Sequence, residues 1–156
     1  MALFLSTFTN KVDRKGRVSV PAPFRADIMA RDWVGIVAFP SFVNACIEGC
    51  DLAYMERLSD SIEEFAPFAE ERDAFTTSIL AASHRLGFDA EGRITLPEPL
   101  IAHAGIDGQV TFVGRGRTFQ MWEPEAFAGF DAEQREFALK QRSELRLRPS
   151  RPGDGR

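Results

Sequence analysis

Basic residues are concentrated near the start of the chain, where they could bind phosphate groups. Between positions 11 and 25 there are five basic residues and one acidic residue, a local charge of +4, whereas the whole chain carries −4. A local positive field is enough to attract DNA, while the remaining surface stays acidic. Exposed turns are also often charged for solubility alone, so charge by itself leaves both interpretations open. The five residues are Lys11, Arg14, Lys15, Arg17 and Arg25.

Two aspartates could be metal ligands or acid–base groups, because the same short motif follows each of them. Asp13 and Asp89 both begin an Asp-x-x-Gly-Arg sequence. No second carboxylate and no histidine recurs beside both, as either chemistry would require. A four-residue turn is the better interpretation: the aspartate accepts hydrogen bonds from the backbone, and the glycine, Gly16 or Gly92, takes a positive φ.

The cysteines and histidines predict neither a metal site nor a nucleophile. Cys46 and Cys50 are four residues apart, and His84 and His103 are the only histidines. A structural zinc ion needs four ligands at suitable spacing. Neither histidine has a Ser, Cys or Asp placed as its partner in a hydrolytic triad. We expect buried, reduced thiols, no bound metal and no catalytic residue, so the chain is not expected to be an enzyme.

The two turn motifs belong to an internal repeat. Residues 12–24 match residues 88–100 without a gap at a spacing of 76, with identical Asp, Gly, Arg and two Pro residues. After each glycine, polar and apolar residues alternate, which predicts a half-buried strand that forms a hairpin with the preceding segment. The prolines that follow end the strand and favour a short helix. Gly105 is a plausible C-terminal cap of the second such helix.

The remaining pattern predicts further strands and helices around these hairpins. Strands are expected at residues 35–39, 44–48, 109–114 and 118–122, with residues 114–117 as a hairpin turn. Apolar residues three and four apart predict a helix from 52 to 65, and a second helix is expected from about 69 to 82. Asp131 is expected to cap a third helix that ends near Leu145. The expected segments are repeat 1 at 6–53, a helical spacer at 54–82, repeat 2 at 83–126, a C-terminal helix at 127–147 and a flexible basic tail at 148–156.

Composition predicts a globular protein that stays in the cytoplasm. The 156 residues are 44% hydrophobic and 27% charged, and no apolar run approaches the ~18 residues that span a membrane. The first residues lack the basic stretch and the cleavage site of a secretory signal. Two cysteines are too few for a disulfide framework. We therefore expect neither a membrane partner nor export.

With both hairpin motifs, the Pro-x-Pro helix starts and the helical spacer in view, residues 1–147 resemble the MraZ family. These proteins are bacterial transcription regulators of the cell-division and cell-wall gene cluster. The resemblance implies a mainly β fold with packed helices (α+β), built from tandem AbrB-like (SpoVT/AbrB-like) swapped-hairpin β-barrel repeats. It also implies ring-like homo-oligomers that bind repeated boxes in double-stranded promoter DNA through the hairpin loops, in association with the nucleoid. No cofactor and no small-molecule substrate is implied.

The family's DNA-contacting motif corresponds to Asp13, Arg14, Lys15, Gly16 and Arg17 in the first repeat, and to Asp89, Gly92 and Arg93 in the second. Together with the charge pattern, this predicts that the DNA-binding residues are Lys11, Arg14, Lys15, Arg17 and Arg93. The second loop has Ala90-Glu91 where the first has Arg14-Lys15. We therefore expect the first loop to dominate the electrostatics of DNA binding.

Two alternatives remain open from the residues themselves. Each of Arg17 and Arg93 directly follows the turn glycine, so it could anchor the aspartate of its own or of a neighbouring hairpin instead of contacting phosphate. For Arg17, contact with DNA is favoured because other cations surround it, whereas for Arg93 both interpretations stay open. The alternative function is a protein-interaction module such as an antitoxin-like swapped-hairpin protein, which should carry a long partner-binding tail.

Fourteen phenylalanines are more than one small core requires, and this excess suggests contacts between subunits.

Overall fold

The computed structural model describes residues 2–28 and 33–152. The chain divides into two compact units, Met1–Pro124 and Glu125–Arg156. The first unit contains both repeats and the spacer between them. The second contains most of the last helix and the segment that follows it.

Each repeat forms two strands, a short helix and two more strands, as the sequence pattern predicts. In the first repeat these elements are β1 (Thr7–Lys11), β2 (Arg17–Ser19), α1 (Ala22–Asp27), β3 (Gly35–Pro40) and β4 (Ile47–Cys50). The spacer forms α2 (Leu52–Glu63) and α3 (Glu70–Phe75), which a π-helical turn (Thr76–Leu80) extends. The second repeat forms β5 (His84–Gly87), β6 (Arg93–Thr95), α4 (Glu98–Ala104), β7 (Gln109–Gly114) and β8 (Phe119–Trp122). Helix α5 (Pro124–Lys140) and a short 3₁₀ turn (Arg142–Glu144) complete the chain.

The strands of the two repeats are interleaved. Six antiparallel strands form one sheet in the order β1-β7-β8-β4-β3-β5. The first strand of each repeat pairs with the third strand of the other repeat, and the two fourth strands pair with each other at the centre. If each strand is replaced by its equivalent in the other repeat, the same order results, read from the opposite edge of the sheet. The fold is therefore the mixed α+β, mainly antiparallel arrangement with swapped hairpins that the family resemblance implies.

The second strands of the two hairpins pair with each other as a separate two-stranded ribbon. Val18 lies opposite Ile94, and Ser19 lies opposite Arg93. Two further backbone hydrogen bonds extend the ribbon symmetrically: the Leu96 N–H donates to the Gly16 carbonyl oxygen at 2.8 Å, and the Val20 N–H donates to the Gly92 carbonyl oxygen at 3.2 Å. Each hairpin turn is thus bonded to the strand of the other repeat.

Alternation along the ribbon decides which side faces the core. The apolar residues Val18, Val20, Ile94 and Leu96 are at most 3% exposed, and burial of each stabilises the fold by about 1.5–3 kcal/mol. They pack with a group of fully buried phenylalanine rings in edge-on and tilted contacts, namely Phe4, Phe24, Phe112 and Phe119. The polar residues between the apolar ones consequently point outward.

Strand β3 is apolar on both of its faces because two clusters cover it. Ile36 and Ala38 belong to the main core, whereas Val37 and Phe39 pack against the spacer helices through Met55 and Ile62. This explains why the spacer is amphipathic: one stripe of α2 covers the outer face of the sheet. Asp51 caps α2 by accepting a hydrogen bond from the Tyr54 N–H at 2.8 Å.

Two elements differ from the sequence-based expectation. The fourth strand of repeat 1 begins at Ile47 and not at Asn44, because the Ser41 Oγ accepts hydrogen bonds from the N–H groups of Val43 and Asn44 and holds this segment in a loop. Helix α5 begins at Pro124 and ends at Lys140, so Asp131 lies inside it and does not cap it. Proline suits the first turn of a helix, and Asp131 instead accepts a hydrogen bond from Arg135 Nε at 3.0 Å.

Within the described residues, no helix has the length and the apolar composition needed to cross a membrane.

Candidate nucleic-acid interface

The first hairpin turn is organised by one carboxylate. The Asp13 Oδ1 atom accepts hydrogen bonds from the N–H groups of Lys15 and Arg17, both at 2.9 Å. The Gly16 N–H donates to the Asp13 carbonyl oxygen at 3.0 Å, and Gly16 has a φ of +81°. The hydrogen bonds that the carboxylate accepts, led by that from the Arg17 N–H, lower the pKa of Asp13. The carboxylate is therefore charged at neutral pH and fixes the shape of the loop.

The second hairpin turn repeats this geometry. The Asp89 Oδ1 atom accepts hydrogen bonds from the N–H groups of Glu91 and Arg93, both at 2.9 Å. Gly92 has a φ of +77°, and its N–H donates to the Asp89 carbonyl oxygen at 3.0 Å. The pKa of Asp89 is likewise lowered, chiefly by the hydrogen bond from the Arg93 N–H. Both loops thus present their side chains from the same backbone scaffold.

Each arginine of the motif binds the aspartate of its own turn. Arg17 Nε lies 2.7 Å from Asp13 Oδ2, and Arg93 Nε lies 2.8 Å from Asp89 Oδ2. This bond uses Nε and leaves the terminal nitrogens of the guanidinium for other partners. Arg93 Nη2 also lies 3.4 Å from Glu91 Oε2. The two sequence-based alternatives are therefore compatible, because an arginine anchored through Nε can still offer its outer edge to a phosphate.

The ribbon brings the two loops onto one surface. Its polar face carries Arg17 and Ser19 from one repeat and Arg93 and Thr95 from the other. The hydrogen bond to Asp89 raises the pKa of Arg93 most, and the charge of Asp13 in the opposite loop contributes as well. Arg93 lies opposite Ser19 in the ribbon, so side chains of the two repeats alternate on this face.

The other predicted cations lie around the first loop. Arg14 and Lys15 are exposed at the turn itself, and Lys11 is exposed at the end of β1. Arg14 and Lys15 border a groove whose other wall contains Glu98 and Asp107 of the second repeat. The first loop is thus the more basic of the two, although acidic groups lie beside it.

Arg25 belongs to the other loop. The sequence groups it with the first-loop cations, but its guanidinium lies against the backbone of Gly92 in the second loop. Its Nη1 atom donates a hydrogen bond to the Val20 carbonyl oxygen. Nothing in the sequence near Arg25 could have indicated this placement, because it depends on the interleaving of the repeats.

The remaining chemistry-bearing residues have structural surroundings. Cys46 and Cys50 are free and buried, and burial raises the pKa of each thiol to about 12. Over the residues that the structure describes, no cluster of three or more His, Cys, Asp or Glu side chains could hold a metal ion. Arg117, in the turn between β7 and β8, donates a hydrogen bond to the Ala2 carbonyl oxygen at 3.0 Å and so fastens the N-terminal segment.

Comparison with known proteins gives one consistent result. A family model described as "MraZ protein, putative antitoxin-like" matches residues 79–148. A protein named "Transcriptional regulator MraZ" from Pelagibacter ubique (strain HTCC1062) is 49% identical over 144 residues, which cover 92% of this chain and 93% of the relative. Proteins of the same name from Rickettsia bellii (strain OSU 85-389) and Rickettsia canadensis (strain McKiel) are 46% and 44% identical, and each match covers 94% of this chain and 98% of the relative.

Proposed function

The chain belongs to the MraZ family of transcriptional regulators, and from that premise we propose that it binds promoter DNA sequence-specifically through its two hairpin loops. The observation that carries this proposal is the shared ribbon. It places Arg17 and Arg93 on one outward face, each at the end of a turn fixed by an aspartate. Rigid loops that present arginines are suited to contact phosphates and base edges, because little conformational freedom is lost on binding.

The first loop supplies most of the attraction to DNA in this proposal. Arg14, Lys15 and Arg17 lie within one turn, whereas the second loop has Glu91 close to Arg93. Phosphate contacts add affinity through the release of counterions, so the number of cations that face the DNA determines how binding depends on salt. In this proposal Lys11 and the first loop provide most of the positive charge that faces the DNA.

We further propose that the active species is a ring-like homo-oligomer. It binds repeated boxes in the promoter of the division and cell-wall gene cluster. A single basic loop offers about three or four phosphate contacts, which is too few for tight binding at physiological salt. Several identical loops on several boxes gain affinity through effective concentration. Box spacing then contributes to specificity. Such a protein acts in the cytoplasm, at the nucleoid.

Exposed apolar side chains support the assembly. Phe68 is 99% exposed, and Val43 and Phe42 are 75% and 60% exposed. Phe42, in the loop before β4, and Phe65, in the spacer, both contact the ring of Phe75, with centroids 6.1 Å and 5.7 Å apart. The three rings form an aromatic cluster. Large exposed aromatic groups of this kind are typical of interfaces between proteins, and a second copy of the chain offers the same groups.

The oligomer is tested by light scattering at micromolar concentration. We expect an assembly several times larger than the 17.4 kDa chain. Phe68→Ser should reduce its size without unfolding the chain, because Phe68 is almost fully exposed. A monomeric wild-type protein that still binds promoter DNA tightly would contradict the oligomer while leaving DNA binding intact.

DNA binding is tested by titrating labelled promoter DNA from upstream of the protein's own gene. The Lys15→Ala, Arg17→Ala double variant should lose specific binding while its melting temperature falls only slightly, because the ion pair that Arg17 forms with Asp13 is solvent-accessible and such pairs add little stability. The double variant Arg57→Ala, Arg135→Ala is the matched control, because it removes two exposed cations, one from α2 and one from α5. Unchanged binding by the loop variant would exclude this loop as the DNA-binding element.

The antitoxin-like alternative is favoured by one observation, the words "putative antitoxin-like" in the description of the matching family. In that role the protein would bind a partner protein through its tail. Residues 148–152 are exposed and include Arg148 and Arg151. If the loops contact DNA, truncation before Arg148 should leave promoter binding intact. If the same truncation abolishes regulation of the promoter in cells, the result would favour a protein partner that binds the tail.

A further inference from the structure

Arg25 connects the helix of the first repeat to the loop of the second. It lies in the last turn of α1 and is half-buried. Its Nη1 atom donates a hydrogen bond to the Val20 carbonyl oxygen, while the Val20 N–H donates to the Gly92 carbonyl oxygen. A Cβ atom added at Gly92 would lie only 2.8 Å from both Cζ and Nε of Arg25. The guanidinium therefore packs directly against the turn glycine of the second loop.

The equivalent place in the other half of the molecule is apolar. The spacing of 76 that relates the repeats places Ile101 where Arg25 stands in the first repeat. A Cβ atom at Gly16 would lie 3.6 Å from Cδ1 of Ile101. Each turn glycine is thus covered by a helix of the opposite repeat, but one cover is an isoleucine and the other is an arginine.

This difference compensates for the difference between the loops. The first loop carries Arg14 and Lys15 and is covered by an uncharged side chain. The second loop has Ala90 and Glu91 at those positions, and the guanidinium of Arg93 is already bonded to Asp89. Arg25 brings a positive charge to the loop whose own sequence is the poorer in cations.

We propose that Arg25 is a positioning residue for the second loop, which holds the turn at Gly92 in place and supplies positive potential for DNA binding there. The inference rests on the proposed DNA-binding function and adds that the second loop depends on a residue of the first repeat. A guanidinium meets both requirements, because it is planar, permanently charged and offers several N–H donors in a fixed geometry.

The positioning role is tested by amide hydrogen exchange, which needs no DNA. The Val20 amide is bonded to Gly92 beside Arg25, and the symmetry-equivalent Leu96 amide is bonded to Gly16 beside Ile101. In Arg25→Ile, which introduces the residue of the other half, exchange at Val20 should rise by about tenfold or more, because a hydrogen bond from a charged donor is removed. Exchange at Leu96 should not change. Equal increases at both amides, or none at Val20, would overturn the proposal.

The electrostatic role is tested by DNA affinity over a range of salt concentrations. Arg25→Ile should weaken binding about 3- to 10-fold and reduce the salt dependence, whereas Arg25→Lys should restore the salt dependence and not the protection of Val20. Arg57→Ile, the removal of an exposed cation from α2, is the matched control and should change neither property. Unchanged affinity and salt dependence in Arg25→Ile would refute the role of its charge.

The two tests separate this proposal from the proposed function. If wild-type protein binds no promoter DNA, DNA binding and the electrostatic role fail together, while the exchange experiment still decides whether Arg25 holds the loop. If Arg25→Ile does not fold, Arg25→Lys alone is decisive: wild-type exchange at Val20 in that variant would contradict the need for a planar guanidinium.

Discussion

The turn glycines provide a prediction whose magnitude can be worked out from the structure. Gly16 and Gly108 have nearly the same positive φ, +81° and +79°. A side chain at either position costs roughly 1–2 kcal/mol for this conformation, of which about 0.4–1 kcal/mol is offset because the unfolded chain loses freedom. The net cost of Gly108→Ala should therefore be about 1 kcal/mol, since nothing lies within 4 Å of its added Cβ.

At Gly16 the added Cβ meets a second obstacle. It would lie 3.1 Å from the Leu96 carbonyl oxygen, a backbone atom. That segment is also held by the Leu96 N–H bond to Gly16, so a shift distorts a hydrogen bond worth about 1 kcal/mol. We therefore expect Gly16→Ala to destabilise the fold by about 2 kcal/mol, or ~4–8 °C in melting temperature, and Gly108→Ala by about half as much.

Urea unfolding and calorimetry of the two alanine variants measure this difference. Gly108→Ala is the control for backbone strain, so the excess loss of stability in Gly16→Ala isolates the close approach between the repeats. Equal losses in the two variants would refute the argument that the turn is packed against Leu96. Losses near zero in both would show that neither glycine needs its positive φ.

Three further results are expected. Arg17→Ala should reduce the slope of log binding constant against log salt concentration by roughly one unit for each phosphate contact that is lost. Arg93→Ala should reduce this slope less, because Glu91 already lies beside Arg93. Equal reductions in anisotropy titrations would show that both loops contribute alike. The pKa values of Asp13 and Asp89 are lower in the folded protein, so these carboxylates stabilise the fold above the ordinary aspartate pKa of 3.8 and lose that effect as the pH falls through the lower folded values. The melting temperature of the double variant Asp13→Asn, Asp89→Asn should therefore depend less on pH in this acid range. A pH profile equal to that of the wild type would contradict the role of the two carboxylates in the turns. The two buried thiols, with pKa values of about 12, should not react with a thiol reagent at pH 8 until the protein unfolds, and rapid labelling of the native protein would show that they are accessible.

Local features of the hairpins are predictable from the sequence because local chemistry determines them. The alternation after Gly16 and Gly92 gives the buried Val18 and Ile94, and the Asp-x-x-Gly pattern matches turns in which the aspartate accepts two backbone hydrogen bonds. The exchange of strands between repeats is not encoded locally, since a hairpin could equally pair within its own repeat. Only the resemblance to a family predicts it.

The placement of Arg25 and the start of α5 require the structure. Arg25 lies near the first loop in sequence and against the second in space, and only the interleaved sheet separates these possibilities. The sequence-based prediction places the helix start at Asp131 because aspartate is a good N-cap residue. This prediction is wrong: the helix begins at Pro124, a residue type that suits the first helical turn. The exposed phenylalanines are predictable only as an excess in composition, because burial depends on long-range packing.

The palindromic strand order has a consequence for how the two loops can change. A homodimer built from two identical halves with this pairing would carry every substitution twice, so both loops would have to remain the same. Here one polypeptide contains both halves, and a mutation alters one loop alone. The two halves differ at equivalent positions only because they belong to one polypeptide. The first repeat has Arg14-Lys15 and Arg25 where the second has Ala90-Glu91 and Ile101. The molecule keeps a dimer's architecture while the residues of each loop can change independently of the other.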